Sequence, residues 1–227
     1  MSVLQAKNLC KSFKNSSFTQ EVLKGIDFEI EQGDFILITG ASGSGKTTLL
    51  NCLSGLDTIT SGEVLINGQN LATITSKEMS NLRKNHIGFV FQAYNLLPNL
   101  TLYENVEIAS IIASKFNKDK ILELLTKFNL IDFKNHFPEQ VSGGMQQRCA
   151  IVRALINDPD IIFADEPTGN LDSKSSVEVM ETFQKLHSEF NKTIVMVTHS
   201  LDNLKYGNRH IQIVDGKVIK DERLNNA

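Results

Sequence analysis

Phe35–Thr39 is an unbroken apolar run that leads straight into Gly40-Ala41-Ser42-Gly43-Ser44-Gly45-Lys46-Thr47, and Leu49, Leu50 and Leu53 follow at helical spacing. No other feature of this chain constrains its fold as tightly. A strand apolar on both faces belongs in the middle of a parallel sheet. The glycines after it let successive backbone N–H groups curl into an anion-binding concavity, and the helix start adds its positive dipole end. Lys46 supplies a point charge for the β- and γ-phosphates of a nucleotide, and Thr47 a hydroxyl for Mg²⁺. The alternative is a Gly/Ser-rich turn with an incidental lysine. It is disfavoured because strand, loop and helix stand in the order that phosphate binding demands.

Ile161-Ile162-Phe163-Ala164-Asp165-Glu166 is a second apolar run, ending in two carboxylates. A buried strand cannot keep charge inside, so both acids emerge at its C-terminal edge, where open α/β sheets bind ligands. Asp165 can hold Mg²⁺ there, and Glu166 can act as general base toward an attacking water. Alone, the pair would read as two solvated acids; the phosphate loop changes that weighting. Gln92 closes another apolar run and can reach Mg²⁺ and the lytic water, although local sequence alone gives a surface glutamine. His199 follows Thr193–Thr198 and either contacts a γ-phosphate or caps its strand. Ser142-Gly143-Gly144 opens a further helix and reads as a second phosphate-contacting N-terminus or as a simple cap.

Strand, helix, strand order around Val177, Met180, Phe183 and Leu186 implies a parallel sheet with right-handed crossovers. Asn67-Gly68 and Asp215-Gly216 each mark a hairpin. Residues 93–157 read as mostly helical, a lobe inserted between parts of a sheet domain formed by 1–92 and 158–227. The expected fold is thus α/β, with a mixed, mainly parallel sheet core, an antiparallel β-subdomain and an inserted helical subdomain. With 227 residues the chain suits one such domain. A net charge of −3 gives no broad grip on nucleic acid or anionic lipid. Cys10, Cys52 and Cys149 are scattered, without metal-ligand spacing, and read as reduced thiols of a cytosolic protein. The N-terminus is too polar for a signal peptide, and no stretch approaches the roughly 18 apolar residues of a membrane helix.

Together these pieces resemble the nucleotide-binding subunits of ABC transporters over nearly the whole chain. GASGSGKT is similar to Walker A, Gln92 to the Q-loop, IIFADE to Walker B, VSGGMQQR to the ABC signature, Asn170 to Asp172 to the D-loop and His199 to the switch histidine. The resemblance implies a P-loop ATPase in which two copies meet head to tail around two ATP. Each ATP would lie between one chain's Gly40, Ala41, Ser42, Gly43, Ser44, Gly45, Lys46, Thr47 and Thr48 and the partner copy's Ser142, Gly143 and Gly144. Asp172 would work across that interface, Lys46, Glu166 and His199 would serve catalysis, and Thr47, Gln92 and Asp165 would hold Mg²⁺. Phe13 would stack on adenine, against core packing as the other reading. Val141 and Met145 depart from the signature's usual Leu and Gln, while its Ser-Gly-Gly centre is intact.

SGLDTITSGEV, IGFVFQAYNLLPNLTLYENV and ADEPTGNLD resemble the branch of macrolide exporters, lipoprotein-release ATPases and bacitracin-resistance ATPases. That implies a separate integral-membrane permease, contacted near Tyr94–Tyr103, a place on the cytoplasmic face of the membrane, and mechanotransmission serving drug or antimicrobial-peptide export or resistance. A regulatory ATPase of the FtsE kind, signalling across the membrane in cell division, shares the same core and is the alternative. DNA-repair and chromosome ATPases share the signature but carry a long coiled coil between their Walker motifs; this chain has no sustained heptads and no basic stripe there.

Overall fold

A computed structural model describes residues 2–14 and 18–224. Four strands of the N-terminal third form an antiparallel sheet in the order β2-β1-β4-β5, built from β1 (Ser2–Lys14), β2 (Thr19–Glu31), β4 (Ser61–Ile66) and β5 (Gln69–Asn70). The Asn67-Gly68 turn joins the last two, with both residues at positive φ, as the sequence predicts. A six-stranded sheet runs in the order β10-β9-β3-β8-β7-β6. Its members are β3 (Phe35–Thr39), β6 (Ile87–Val90), β7 (Ile161–Asp165), β8 (Thr193–Val197), β9 (Arg209–Val214) and β10 (Lys217–Arg223). Strand β10 pairs antiparallel to β9 through the Asp215-Gly216 hairpin, and the other neighbours are all parallel.

The parallel strands separate two cores, and their side chains alternate between them. Ile36, Ile38, Ile161, Phe163, Val195, Val197, Ile211 and Ile213 join the antiparallel sheet and helix α1 (Lys46–Leu53) in one core. Phe35, Leu37, Ile162, Ala164, Ile194 and Met196 point the other way, into the helices. This two-sided burial is why these strands read as continuous apolar runs rather than alternating ones.

Between β4 and β6 the chain forms α2 (Ser76–Asn85), which starts on a capping box of Thr75 and Glu78. Residues 93–157 hold α3 (Leu102–Ile112), α4 (Lys118–Lys127) and α5 (Gly143–Leu155), separated by turns and two short 3₁₀ segments. A second capping box, Thr101 with Glu104, starts α3, and Asn117 and Ser142 cap α4 and α5. Helix α6 (Ser173–Phe190) crosses from β7 to β8. It buries Val179, Met180, Phe183 and Leu186, but Val177 is exposed, against the sequence reading. Strict steps of three turn about 60° short of a full helical turn, so a residue three steps from Leu186 lies across the helix.

Candidate functional site

Parallel pairing brings four strand ends to one edge. Register matches Ile38 with Val197, Asp165 with Val197, and Val90 with Ala164. The residues that follow these strands are Gly40, His199, Glu166 and Gln92, so all four sequence-predicted strand-end positions share that edge.

The Gly40–Thr47 loop is held by its glycines and by the hairpin beside it. A side chain at Gly40 would put its Cβ 2.2 Å from the Ile213 carbonyl oxygen and 2.7 Å from Ser44 Oγ. Gly45, at φ 101°, is the N-cap of α1, a left-handed conformation that glycine adopts without penalty. The Gly216 N–H donates to the Ser44 carbonyl at 3.1 Å, while the Gly216 carbonyl accepts from the Lys24 N–H at 2.9 Å, fastening the loop to β2. Helix α1 carries no acid of its own in its first turn, so its own sequence does not oppose an anion at its positive end.

Lys46 is 8% exposed, and its ammonium donates to the Gly40 and Ala41 carbonyls at 2.9 and 3.0 Å. Of its three donors one remains for a phosphate oxygen. Ser44 Oγ is buried with no hydrogen-bond partner, an orphan that an anion in the loop would satisfy. The Thr47 hydroxyl donates to Asp165 Oδ1 at 3.1 Å. Burial raises the Asp165 carboxyl above its ordinary value, against the Thr47 hydroxyl that lowers it, with Glu166 raising and Lys46 lowering it further.

Glu166 has φ 47°, uncommon for a residue with a Cβ. Its N–H donates to the Val197 carbonyl and its carbonyl accepts from the Gly169 N–H, each at 3.0 Å, which hold the strained backbone. Its Oε2 pairs with His199 Nδ1. Val22, Ser42, Gly43, Gly45, Lys46, Thr47, Thr48, Glu166 and His199 line one cleft of about 390 Å³.

The remaining candidates stand outside that cleft's lining. Phe13 is 44% exposed on β1, with Lys11 Nζ over one ring face, 4.8 Å from its centroid. Lys11 is itself anchored to Asp57 Oδ1 at 2.8 Å and the Thr58 carbonyl at 2.6 Å. Gln92 and Asn170 bond reciprocally at 3.2 Å, the Gln92 amide to Asn170 Oδ1 and the Asn170 amide to the Gln92 carbonyl. Ser142 Oγ accepts from the Met145 N–H at 3.3 Å, a cap that needs no particular side chain at 145. Gly143 lies against the Tyr94 hydroxyl and Gly144 against Ser175, where a Cβ would come within 2.7 and 3.0 Å. Asp172 caps α6, accepting from the Lys174 and Ser175 N–H groups at 3.0 Å and the Ser175 hydroxyl at 2.6 Å, and the Ser175 hydroxyl leads in lowering its pKa.

The sequence reading passed over two polar contacts. Asn170 appeared only within the D-loop likeness, yet it holds Gln92. Gln147 appeared only as a letter of the signature, yet it is fully buried. Its signal was readable: with Gly144, Ile151 and Leu155 it makes one buried face of α5, and a glutamine is out of place there.

Residues 23–169 match the ABC transporter family. The chain belongs to that family, as an ATP-binding subunit with ATPase activity. It is 44% identical over 221 residues to the bacitracin export ATP-binding protein BceA of Halalkalibacterium halodurans, covering 96% of this chain and 87% of that protein. It is 44% identical to the macrolide export ATP-binding/permease protein MacB of a Shewanella species over 99% of this chain but 35% of that protein. The chain thus spans about a third of the macrolide export protein. A dimeric ATP-binding cassette from Methanocaldococcus jannaschii, in a post-hydrolysis state bound to ADP and Pi, superimposes with a TM-score of 0.89 at 41% identity, covering 98% of this chain and 99% of that one. The mixed-sheet fold expected from the sequence is therefore the fold of ABC cassettes. Among the described residues no helix is long and apolar enough to cross a membrane.

Proposed function

We propose that two copies of this chain close head to tail around two ATP and drive a separate integral-membrane permease from the cytoplasmic face of the membrane, in drug or antimicrobial-peptide export or resistance by mechanotransmission. The observation that carries the ATPase half is the convergence of Lys46, Thr47, Glu166 and His199 on one cleft. Lys46 and the loop amides hold the β- and γ-phosphates. Glu166 takes the proton of the attacking water, and His199, paired with it, orients that carboxylate and meets the γ-phosphate. The hydroxyl of Thr47 and the carboxylate of Asp165 are hard oxygen donors suited to Mg²⁺, and Gln92 follows β6 at the same sheet edge, its amide on Asn170. Mg²⁺ held by these residues would supply positive charge that offsets the negative charge of the phosphates.

Ser142-Gly143-Gly144 and Asp172 stand outside their own chain's cleft, which supports their service to the partner copy's ATP. Phe13 is 44% exposed, which supports its stacking on adenine, and stacking needs the ring regardless of the hydroxyl a tyrosine would add. The partner reading is tested by affinity purification of tagged Glu166→Gln protein with ATP from detergent-solubilised membranes. A permease with a large extracytoplasmic domain is expected. A division-linked membrane protein would replace export by signalling, and recovery of no membrane protein would refute the transport role.

A further inference from the structure

Gln147 is 0% exposed, one turn beyond the Ser142-Gly143-Gly144 start of α5. Its Nε2 donates twice, to the Phe91 carbonyl at 3.1 Å and to the Pro167 carbonyl at 2.8 Å. Those carbonyls belong to the residue before Gln92 and the residue after Glu166. Its Oε1 is buried without a partner. A half-satisfied buried amide is a poor way to stabilise a helix face, because the unpaired oxygen keeps its full desolvation penalty. A methionine would fill the same space without that penalty. What the amide does, and methionine cannot, is tie two backbone segments to one another.

Those segments are joined at their far sides too. Gln92 and Asn170 bond reciprocally, and the Gly169 N–H donates to the Glu166 carbonyl. The Gln147 amide therefore closes a ring of contacts: α5, the Gln92 segment, Asn170, and the Glu166 segment. A ring with all its links has one shape. Cutting the Gln147 link leaves the two loops joined through Asn170 and the pairing of β6 with β7 alone, so their spacing can shift.

We propose that Gln147 is a positioning residue for hydrolysis, its buried carboxamide setting the spacing between the Gln92 and Glu166 segments and tying both to the helix that begins at Ser142. This rests on the reading of Gln92 and Glu166 as residues of ATP hydrolysis. It leaves nucleotide affinity, the business of the Gly40–Thr47 loop, untouched.

The test is Gln147→Met in the full chain, read by steady-state ATPase kinetics, ATP titration and thermal unfolding. Turnover should fall roughly tenfold, the effect of about 1.4 kcal/mol on a barrier. KM and ATP affinity should stay within about twofold, and the unfolding midpoint should hold, a split that follows from losing position rather than fold. Combined with Glu166→Gln, Gln147→Met should lower the residual rate by clearly less than it lowers the wild-type rate, since the base, one of the two groups it positions, is gone. Wild-type turnover in Gln147→Met would overturn the proposal. So would a full second tenfold fall in the double variant, or parallel losses of turnover, affinity and midpoint, which mark a structural role. Should the methionine variant not fold, Gln147→Leu puts the same question in the same assays. The Glu166→Gln single variant separates the two levels: wild-type turnover there would overturn the catalytic reading and this proposal with it.

Discussion

Replacing Glu166 by glutamine removes a base and almost nothing else. The side chains have the same shape. The left-handed backbone, φ 47°, costs both residues alike, and its two 3.0 Å backbone hydrogen bonds do not involve the side chain. Glutamine keeps one oxygen to accept from His199 Nδ1, so the pairing itself can survive. Lys46 and the loop amides do not touch this carboxylate, so nucleotide binding should persist. What goes is the capacity to take a proton. General-base removal costs roughly 10²–10⁴-fold in rate, or about 2.7–5.4 kcal/mol on the barrier at 1.36 kcal/mol per decade. Single-turnover hydrolysis measures that fall, and size-exclusion chromatography with ATP should show an ATP-locked dimer accumulating. Hydrolysis at the wild-type rate would refute the assignment of the base. Lost ATP binding would refute the claim that the carboxylate acts in chemistry alone.

Three further outcomes follow from other parts of the molecule. Gly40→Ala places a Cβ 2.2 Å from the Ile213 carbonyl oxygen, against a strand fixed in the sheet; it should cost about 1–3 kcal/mol of stability and weaken ATP binding, seen by calorimetry and titration. Lys192 Nζ donates to Asp158 Oδ1 at 2.6 Å, and this bond is the leading cause that lowers the Asp158 pKa. A depressed carboxylate pKa gives stability above the unfolded value of about 3.9 that is lost as pH falls through the folded one. Asp158→Asn should therefore be less stable at pH 7, by under about 1 kcal/mol because the carboxylate is well exposed, and urea titrations should show that gap closing toward pH 3; a gap that widens in acid would contradict the ion pair. Burial pushes the Cys52 thiol up to about 11 and Cys149 to about 12. Because thiolates are the reactive form, iodoacetamide at pH 8 should leave both unlabelled until denaturant is added, which mass spectrometry of the peptides decides.

The phosphate loop was legible because its chemistry is contiguous. Strand, glycines, Lys46 and helix start are neighbours along the chain, and each residue type carries its own meaning. The common edge was legible too: Gln92, Glu166 and His199 each end an apolar run, and parallel pairing sends such ends to one side of a sheet. The Glu166–His199 pairing was not, since it depends on β7 and β8 being adjacent, which strand order in sequence does not dictate. The helical face of α6 was misread at Val177 because i, i+3 spacing by itself does not distinguish a straight stripe from one that drifts around the axis. Phe13 gave no hint that a lysine two residues away would cover one face of its ring, because alternate residues of a strand share a side only once the strand is known.

The least legible contacts are those in which a side chain grips a backbone. Gln147 bonds to the carbonyls of Phe91 and Pro167, and any residue at those positions would present the same oxygen. The partner half of such a contact therefore leaves no mark in the sequence. What remains is the donor, and it is visible only as a misfit: one amide in the buried stripe Gly144, Gln147, Ile151 and Leu155. The same holds for the Gly216 N–H that braces the Ser44 carbonyl, where the only trace is the hairpin glycine itself. In this chain the groups that meet substrate are written as residue types, while the groups that hold them in place are written largely as backbone. A polar residue on an apolar face is thus the sequence's surest pointer to the second kind, and Gln147 is where that pointer meets the catalytic edge.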